Sequence, residues 1–155
     1  MKSRVFILLG LMSLGFLSCD ESPSISSYPT IEQYFERNNI TESDYQITSS
    51  GLIYIINKEG TGDLAKFGET VTVHYSGYHL DDSKFDSSYD RNEAFVFRIG
   101  DNRIIAGWNE GLQYFRKGGS GTLYIPWELA YGESGSGPIT PKEDLKFDIN
   151  LLAID

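Results

Sequence analysis

The blocks VHYSGY (Val73–Tyr78), KFDSSYDRN (Lys84–Asn92), IIAGWNEGL (Ile104–Leu112), LAYGESGSG (Leu129–Gly137) and KFDINLL (Lys146–Leu152) decide how this chain folds. Around the first, Val71, Val73 and Tyr75 alternate with Thr72, His74 and Ser76, the period of a strand with one buried face. Phe95, Phe97 and Ile99 alternate with Val96 and Arg98 in the same way. So do Leu145, Phe147, Ile149 and Leu151 with Lys146, Asp148 and Asn150. Leu52–Asn57 and Leu123–Ile125 read as further short strands, the second stopped by Pro126. GTGD (Gly60–Asp63) and FGE (Phe67–Glu69) read as turns.

Only one segment in this region has helical spacing. Ile105, Trp108 and Leu112 share a face, so a short helix is expected over Ile105–Tyr114. Gly107 and Gly111 each cost about 1 kcal/mol against Ala in a helix interior. Two such costs four residues apart predict a close approach to a sheet. The expectation is an α+β domain, an antiparallel β-sheet wrapped around one short α-helix.

The chain of 155 residues has 40% hydrophobic content, enough for one core. Its formal net charge is −9. Lys2 and Arg4 are the only charges among the first eighteen residues, so the remainder carries −11. A surface this acidic excludes phosphate-backbone binding, which needs clustered Lys and Arg; no nucleic acid partner is expected.

The N-terminus has its own logic. Lys2 and Arg4 precede an apolar stretch of thirteen residues, Val5–Leu17. That is short of the roughly 20 residues a spanning helix needs, and suits the apolar region of an export signal. The stretch closes on Phe16-Leu17-Ser18-Cys19, which resembles a bacterial lipoprotein processing site, with Phe16 where leucine is usual. Cys19 is the single cysteine, so no internal disulfide is available to it. The organisation read from the sequence is residues 1–18 as lipoprotein signal peptide, 19–50 as lipidated N-terminus, linker and short helix, and 51–155 as the folded domain. DESPSISSYPT (20–30) reads as spacer. Thr30 is a candidate N-cap for TIEQYFERNN, with Ile31, Tyr34 and Phe35 on one face and Asn38–Asn39 at the end. A helix of two turns is marginal alone, so it either docks on the domain or stays partly disordered. The localisation expected is the bacterial cell envelope, tethered by lipid on the periplasmic side or the cell surface.

In their order and spacing the five blocks resemble the catalytic domain of the FKBP-type peptidyl-prolyl cis-trans isomerases. The resemblance implies that family's fold and a pocket for proline. Trp108 would be its floor, and Tyr75, Phe85, Phe95 and Phe147 its walls, completed by Ile104, Ile105 and Ile139. It also implies that Tyr131 donates its hydroxyl, and Ile105 its backbone N–H, to substrate carbonyls. Asp86 corresponds to the family's pocket carboxylate, held by Tyr75 and Arg91. Proline-containing polypeptide segments are the implied partners, with rapamycin-type macrolides as inhibitors. The protein is read as a monomer that meets a membrane only through its lipid, with palmitate among the attached groups. No cofactor and no metal are implied.

Taken singly, each aromatic is more often core than site, and an Asp–Arg pair more often a surface ion pair. The sequence alone leaves open a holdase or peptide-binding module using the same pocket without turnover, and a structural lipoprotein using the domain as scaffold. Arg103 departs from the family, which often has an acid before the paired aliphatics. Thr140 stands where proline is frequent, in a glycine-rich loop expected to be mobile. Other chemistries lack their residues. His74 and His79 are the only histidines, read as a satisfied strand residue and a solvated turn residue. Asp81, Asp82 and Asp86 do not have calcium-loop spacing.

Overall fold

The computed structural model describes residues 26–155. The export-signal reading of residues 1–18 and the lipidation reading of Cys19 lie outside them. Among the described residues no helix is long and apolar enough to cross a membrane.

The alternating segments form strands. In chain order the elements are α1 (Ile31–Asn38), β1 (Gln46–Ile47), β2 (Ile53–Lys58), β3 (Thr61–Leu64), β4 (Thr70–His79), β5 (Lys84–Ser87), β6 (Phe95–Arg98), α2 (Ala106–Gly111), β7 (Arg116–Lys117), β8 (Ser120–Ile125) and β9 (Leu145–Ile154). An antiparallel sheet runs β1-β2-β8-β9-β4-β5, with β6 also paired to β4. The central pair is β4 with β9, whose residues alternate buried and partly exposed for most of their length. The expected architecture is present.

Two details differ from the sequence expectation. The helix begins at Ala106 with Ile105 as its N-cap, and its last turn, Leu112–Tyr114, tightens to a 3₁₀ turn. The GTGD segment is not only a turn: Thr61–Leu64 pairs with Arg116–Lys117 as a small second sheet. A Cβ on Gly60 would come within 2.5 Å of the Lys117 and Arg116 carbonyl oxygens, so glycine is needed there for contact rather than for chain reversal. The N-terminal helix expected after Thr30 is present as α1, and of the two outcomes left open for it, it docks.

Each face of the sheet has its own cover. Val71, Val73, Tyr75, Leu123, Ile125, Phe147, Ile149 and Leu151 form the inner core with Trp108 and Leu112 from the α2 region. A Cβ at Gly107 would meet Ile125 at 2.4 Å, and one at Gly111 would meet Leu123 at 2.7 Å. The two glycines let the helix sit directly on β8, which offsets their cost in helix propensity. On the outer face Ile31, Tyr34 and Phe35 of α1 pack on Ile53, Leu80 and Tyr124. Thr30 and Gln33 make a reciprocal capping box, and Asn39 closes the helix in the left-handed region at φ 54°. The marginal helix is stabilised by a cap at each end and an aromatic face.

Candidate functional site

The site lies at one end of the inner core, where four strands and the start of α2 converge. The register across the sheet places Leu123 opposite Phe147, Phe147 opposite Gly77, and Gly77 opposite Asp86. Gly77 is the gap in that row. A Cβ there would lie 2.7 Å from the Phe85 ring and 2.9 Å from Phe147, so its absence lets the two rings close to 5.6 Å, edge to face. The β4–β5 register slips between Gly77 and Tyr78, leaving Phe85 as an extra residue. A bulge of this kind re-aims side chains, and here the neighbours Phe85 and Asp86 both line the same cleft.

That cleft holds about 160 Å³ and is bounded by Tyr75, Phe85, Asp86, Phe95, Arg103, Ile104, Ile105, Trp108, Tyr131 and Phe147. It is well below the 300–1,000 Å³ of drug-sized ligand sites, and fits one small ring. Trp108 is 4% exposed and stands edge to face against Tyr75 at 4.9 Å and against Phe147 at 5.3 Å. Phe95 completes the enclosure at 5.9 Å from the indole. Ile139 is not among the lining residues. It is 5% exposed and packed into the main core, so its place here is behind the loop rather than on the cleft.

The polar groups at the mouth divide into spent and unspent. Asp86 is spent: it accepts from the Tyr75 hydroxyl and from the Arg91 guanidinium, while Arg91 Nη2 also donates to Tyr75 Oη at 2.9 Å. Burial pushes the Asp86 carboxyl up, but the hydrogen bonds from Tyr75 and Arg91 outweigh it and hold it below its ordinary value. Burial, together with the bond to Asp86, raises Tyr75. The carboxylate is therefore ionised and fixed at neutral pH. Two donors are unspent. The Ile105 backbone N–H has no acceptor among the described residues, and the Tyr131 hydroxyl, on a residue 38% exposed, makes no hydrogen bond there either. Burial and the nearby Asp86 charge raise the Tyr131 phenol, so it keeps its proton. A third donor, Trp108 Nε1, is buried in the floor without an acceptor among the described residues.

Two positioning residues were invisible as such in the sequence. Ser88, fully buried, accepts from the Tyr75 backbone N–H at 2.8 Å, and its own N–H donates to the Tyr75 carbonyl at 3.1 Å. It ties the loop carrying Asp86 and Arg91 to the strand carrying Tyr75. Asn109 accepts from Gly100 N–H at 2.7 Å and donates to the carbonyls of Asp101 at 3.0 Å and Ile104 at 3.2 Å. It fixes the turn ahead of Ile105. Arg103 was noted in the sequence only as a departure, and the structure places it on the wall of the cleft.

The two histidines are placed differently from each other. His74 bonds Ser88 Oγ at 2.9 Å and stacks on Tyr89, a satisfied strand residue. His79 corrects the expectation of a solvated turn. It is 5% exposed, bonded to the buried Glu143 and stacked under Tyr28 at 4.1 Å. The reason is that β4 runs through to His79 before turning, and Glu143 arrives from 64 residues away.

The aromatic cleft is not the largest groove on the molecule, and a bigger one lies near the N-terminal segment. About 450 Å³ is enclosed between the N-terminal segment and Pro126–Trp127, lined by Tyr28, Ile31, Ile53, Trp127 and Asp144 among others. The half-buried Asp144 carboxylate there is already committed, accepting from Trp127 N–H at 3.0 Å and Ile31 N–H at 3.1 Å. The aromatic cleft is smaller but carries the free donors.

Comparison with known proteins identifies the family. The family described as FKBP-type peptidyl-prolyl cis-trans isomerase matches residues 62–152. The chain is 43% identical to the FKBP-type peptidyl-prolyl cis-trans isomerase FkpA of Aeromonas hydrophila over 80% of its length and 45% of the relative's. It is 42% identical to FkpA of Escherichia coli strain K12 over 73% and 41%. The chain thus spans less than half the length of these curated relatives. Among solved structures, the crystal structure of FkpA from Escherichia coli superposes with a TM-score of 0.73 at 39% identity, covering 80% of this chain and 57% of that one. The crystal structure of AtFKBP13 superposes at 0.67 and 35% identity, covering 72% and 98%. The family match takes in each wall residue, Asp86 with its two partners, and both free donors, and the chain belongs to the FKBP-type peptidyl-prolyl cis-trans isomerase family.

Proposed function

We propose that the domain accelerates cis–trans rotation of Xaa-Pro bonds, and that the aromatic cleft is where it does so. The observation that carries this is the pairing of a one-ring apolar pocket with two unspent donors, Ile105 N–H and Tyr131 OH, at its mouth. Rotation about the amide faces a barrier of about 18–20 kcal/mol from C–N double-bond character. No bond needs to break, so neither nucleophile nor metal is required. The catalyst must bind the twisted amide better than either planar form.

Each part of the site contributes to that difference. The proline ring sits among Trp108, Tyr75, Phe85, Phe95 and Phe147 and is held still. The two donors anchor substrate carbonyls, so rotation is confined to the prolyl bond. A twisted amide loses resonance, its dipole shrinks, and an apolar cleft disfavours it less than water does. Its carbonyl carbon, no longer fed by nitrogen, is electron-poor, and the fixed negative charge of Asp86 attracts it. That attraction grows only as the amide twists.

The deciding experiment follows cis–trans exchange of short Leu-Pro and Phe-Pro peptides by NMR, with Asp86→Ala and Tyr131→Phe as comparators. Faster exchange that falls in both variants supports the proposal. A folded protein that binds the peptide without accelerating exchange sinks it and leaves a binding module.

The same reading extends to place and partners. The protein is a lipid-anchored monomer of the bacterial cell envelope, acting on proline-containing segments of exported proteins and inhibited by rapamycin-type macrolides. The basic start, the apolar stretch Val5–Leu17 and the single Cys19 support the anchor. Slow prolyl isomerisation limits folding of many chains, and this reaction needs no ATP. Incorporation of labelled palmitate in cells, lost in Cys19→Ala, tests the anchor; retention of label in that variant overturns it.

A further inference from the structure

Beside the aromatic cleft runs a second groove of about 450 Å³, lined by Phe95, Val96, Phe97, Arg98, Asp101, Arg103 and Ile104. It shares Phe95, Arg103 and Ile104 with the cleft, so it is open to the chain flanking a proline seated there. Its charge is unlike the rest of the molecule. The whole chain carries −9, yet this groove sets two guanidiniums against one carboxylate, and Arg103 is the one cation on the cleft wall. Arg98 has no carboxylate partner among the described residues; its Nε donates to the Gly68 carbonyl at 2.6 Å.

Arg103 is held rather than loose. Asp101, with its side chain only 20% exposed, accepts from the Arg103 backbone N–H at 2.9 Å, from Nε at 3.1 Å and from Nη2 at 2.7 Å. The Asp101 carbonyl in turn accepts from Ile104 N–H at 3.1 Å and from Asn109 Nδ2 at 3.0 Å. The guanidinium is thus tethered to the turn that presents the Ile105 N–H. Asp101 engages one edge of the fork, and the side chain remains 85% exposed. A planar guanidinium has five donors and matches a carboxylate in a fixed geometry. Because one edge is already fixed, little rotamer freedom is left to lose when the other edge binds.

We propose that Arg103 makes this protein prefer substrates with an acidic side chain next to the proline. This rests on the isomerase reading of the same cleft. Asp101 neutralises part of the Arg103 charge, and Arg98 supplies the excess. The contact is solvent-exposed, so the gain is modest, about two- to fivefold, and it is screened by salt.

The test compares kcat/KM by NMR exchange on matched peptides carrying Glu or Gln immediately before the proline, and a second pair carrying them immediately after. The ratio of Glu to Gln peptide within each protein is the readout, which removes any change in overall activity. For the wild type it is expected at about two to five for one of the two positions, falling towards one in 1 M salt. Arg103→Gln should bring it to one at low salt, and Arg103→Glu should invert it; Arg98→Gln should lower it in part. Turnover of the Leu-Pro peptide with ratios of one at both positions overturns the preference and leaves the isomerase reading intact. If no peptide is turned over, that reading fails separately. Kd ratios for the same peptide pairs then decide the preference, with a ratio of one again overturning it.

Discussion

Two carboxylates stand on either side of Phe85 and are used in opposite ways. Asp86 and its partner Arg91 are 39% and 47% exposed, at the mouth of the cleft. Glu143 and its partner His79 are 0% and 6% exposed, sealed behind it. The Phe85 ring contacts both regions, 5.6 Å from Phe147 in the cleft and 5.1 Å from the His79 ring. Glu143 also accepts from the Thr140 backbone N–H at 2.6 Å and from its hydroxyl at 2.8 Å, closing the loop that begins near Tyr131. One acid stands at the mouth of the cleft, where the proposed substrate would lie. The other holds the far wall and the loop in place, and its carboxyl is sealed from water. Only burial separates the roles, since both acids bond a ring-bearing partner and a second donor.

The largest effect should come from breaking the sealed pair. Glu143→Ala leaves His79 and the Thr140 N–H buried without their acceptor, and a loss of about 3–5 kcal/mol in urea denaturation is expected. A change below about 1 kcal/mol would show that the pair is not sealed in solution. Gly77→Ala attacks the wall between the two regions. Its new Cβ overlaps Phe85 and Phe147, so about 1–3 kcal/mol of stability should go, and exchange of Xaa-Pro peptides should slow because the cleft is displaced.

Asp86→Ala should behave in the reverse way. The pair it removes is half exposed, so stability should change by less than about 1 kcal/mol. Turnover should nonetheless fall at least about tenfold, equivalent to about 1.4 kcal/mol of lost transition-state binding. A variant that is unstable but still active would reverse the assignment of the two acids.

The smallest effect is in pH. The folded-state pKa of Asp86 lies below its ordinary value of 3.8, so its ionised form favours the folded state. That contribution is complete above the unfolded pKa and disappears as pH falls through the lower folded value. Activity should therefore persist to below pH 3.8 wherever the fold survives, as an exchange-rate profile would register. An activity midpoint above that pH would place the carboxyl in a different environment.

Much of the cleft was legible because its residues belong to repeating local patterns. Tyr75, Phe95 and Phe147 fall on the buried phase of alternating strands, and Trp108 on the apolar face of the one helix. Gly107 and Gly111 announced their close contact by being poor helix formers. Asp86 and Phe85 were named through resemblance, but nothing local says that adjacent residues line one cavity; that needs the bulge opposite Gly77. Ile139 was placed on the cleft and lies in the core, since a loop has no periodicity to say which way a side chain turns. His79 was misjudged for a related reason. A histidine at the turn after a strand reads as solvated, and its burial depends on Glu143 and Tyr28 arriving from distant parts of the chain. Ser88 and Asn109 hold the site through backbone hydrogen bonds, which leave no mark in residue type.

By itself the sequence determined the strand and helix periods, the net acidity of the chain, and which aromatics resemble those of the family's pocket. These depend on neighbours within a few residues or on composition, and both are written along the chain. Only the tertiary structure decided that Asp86 is exposed and Glu143 sealed, that Arg103 faces both cleft and groove, and that Ile105 N–H and Tyr131 OH are left free. Those are properties of pairs far apart in the chain, and whether a charge or a donor is spent depends on which distant group reaches it when the sheet closes.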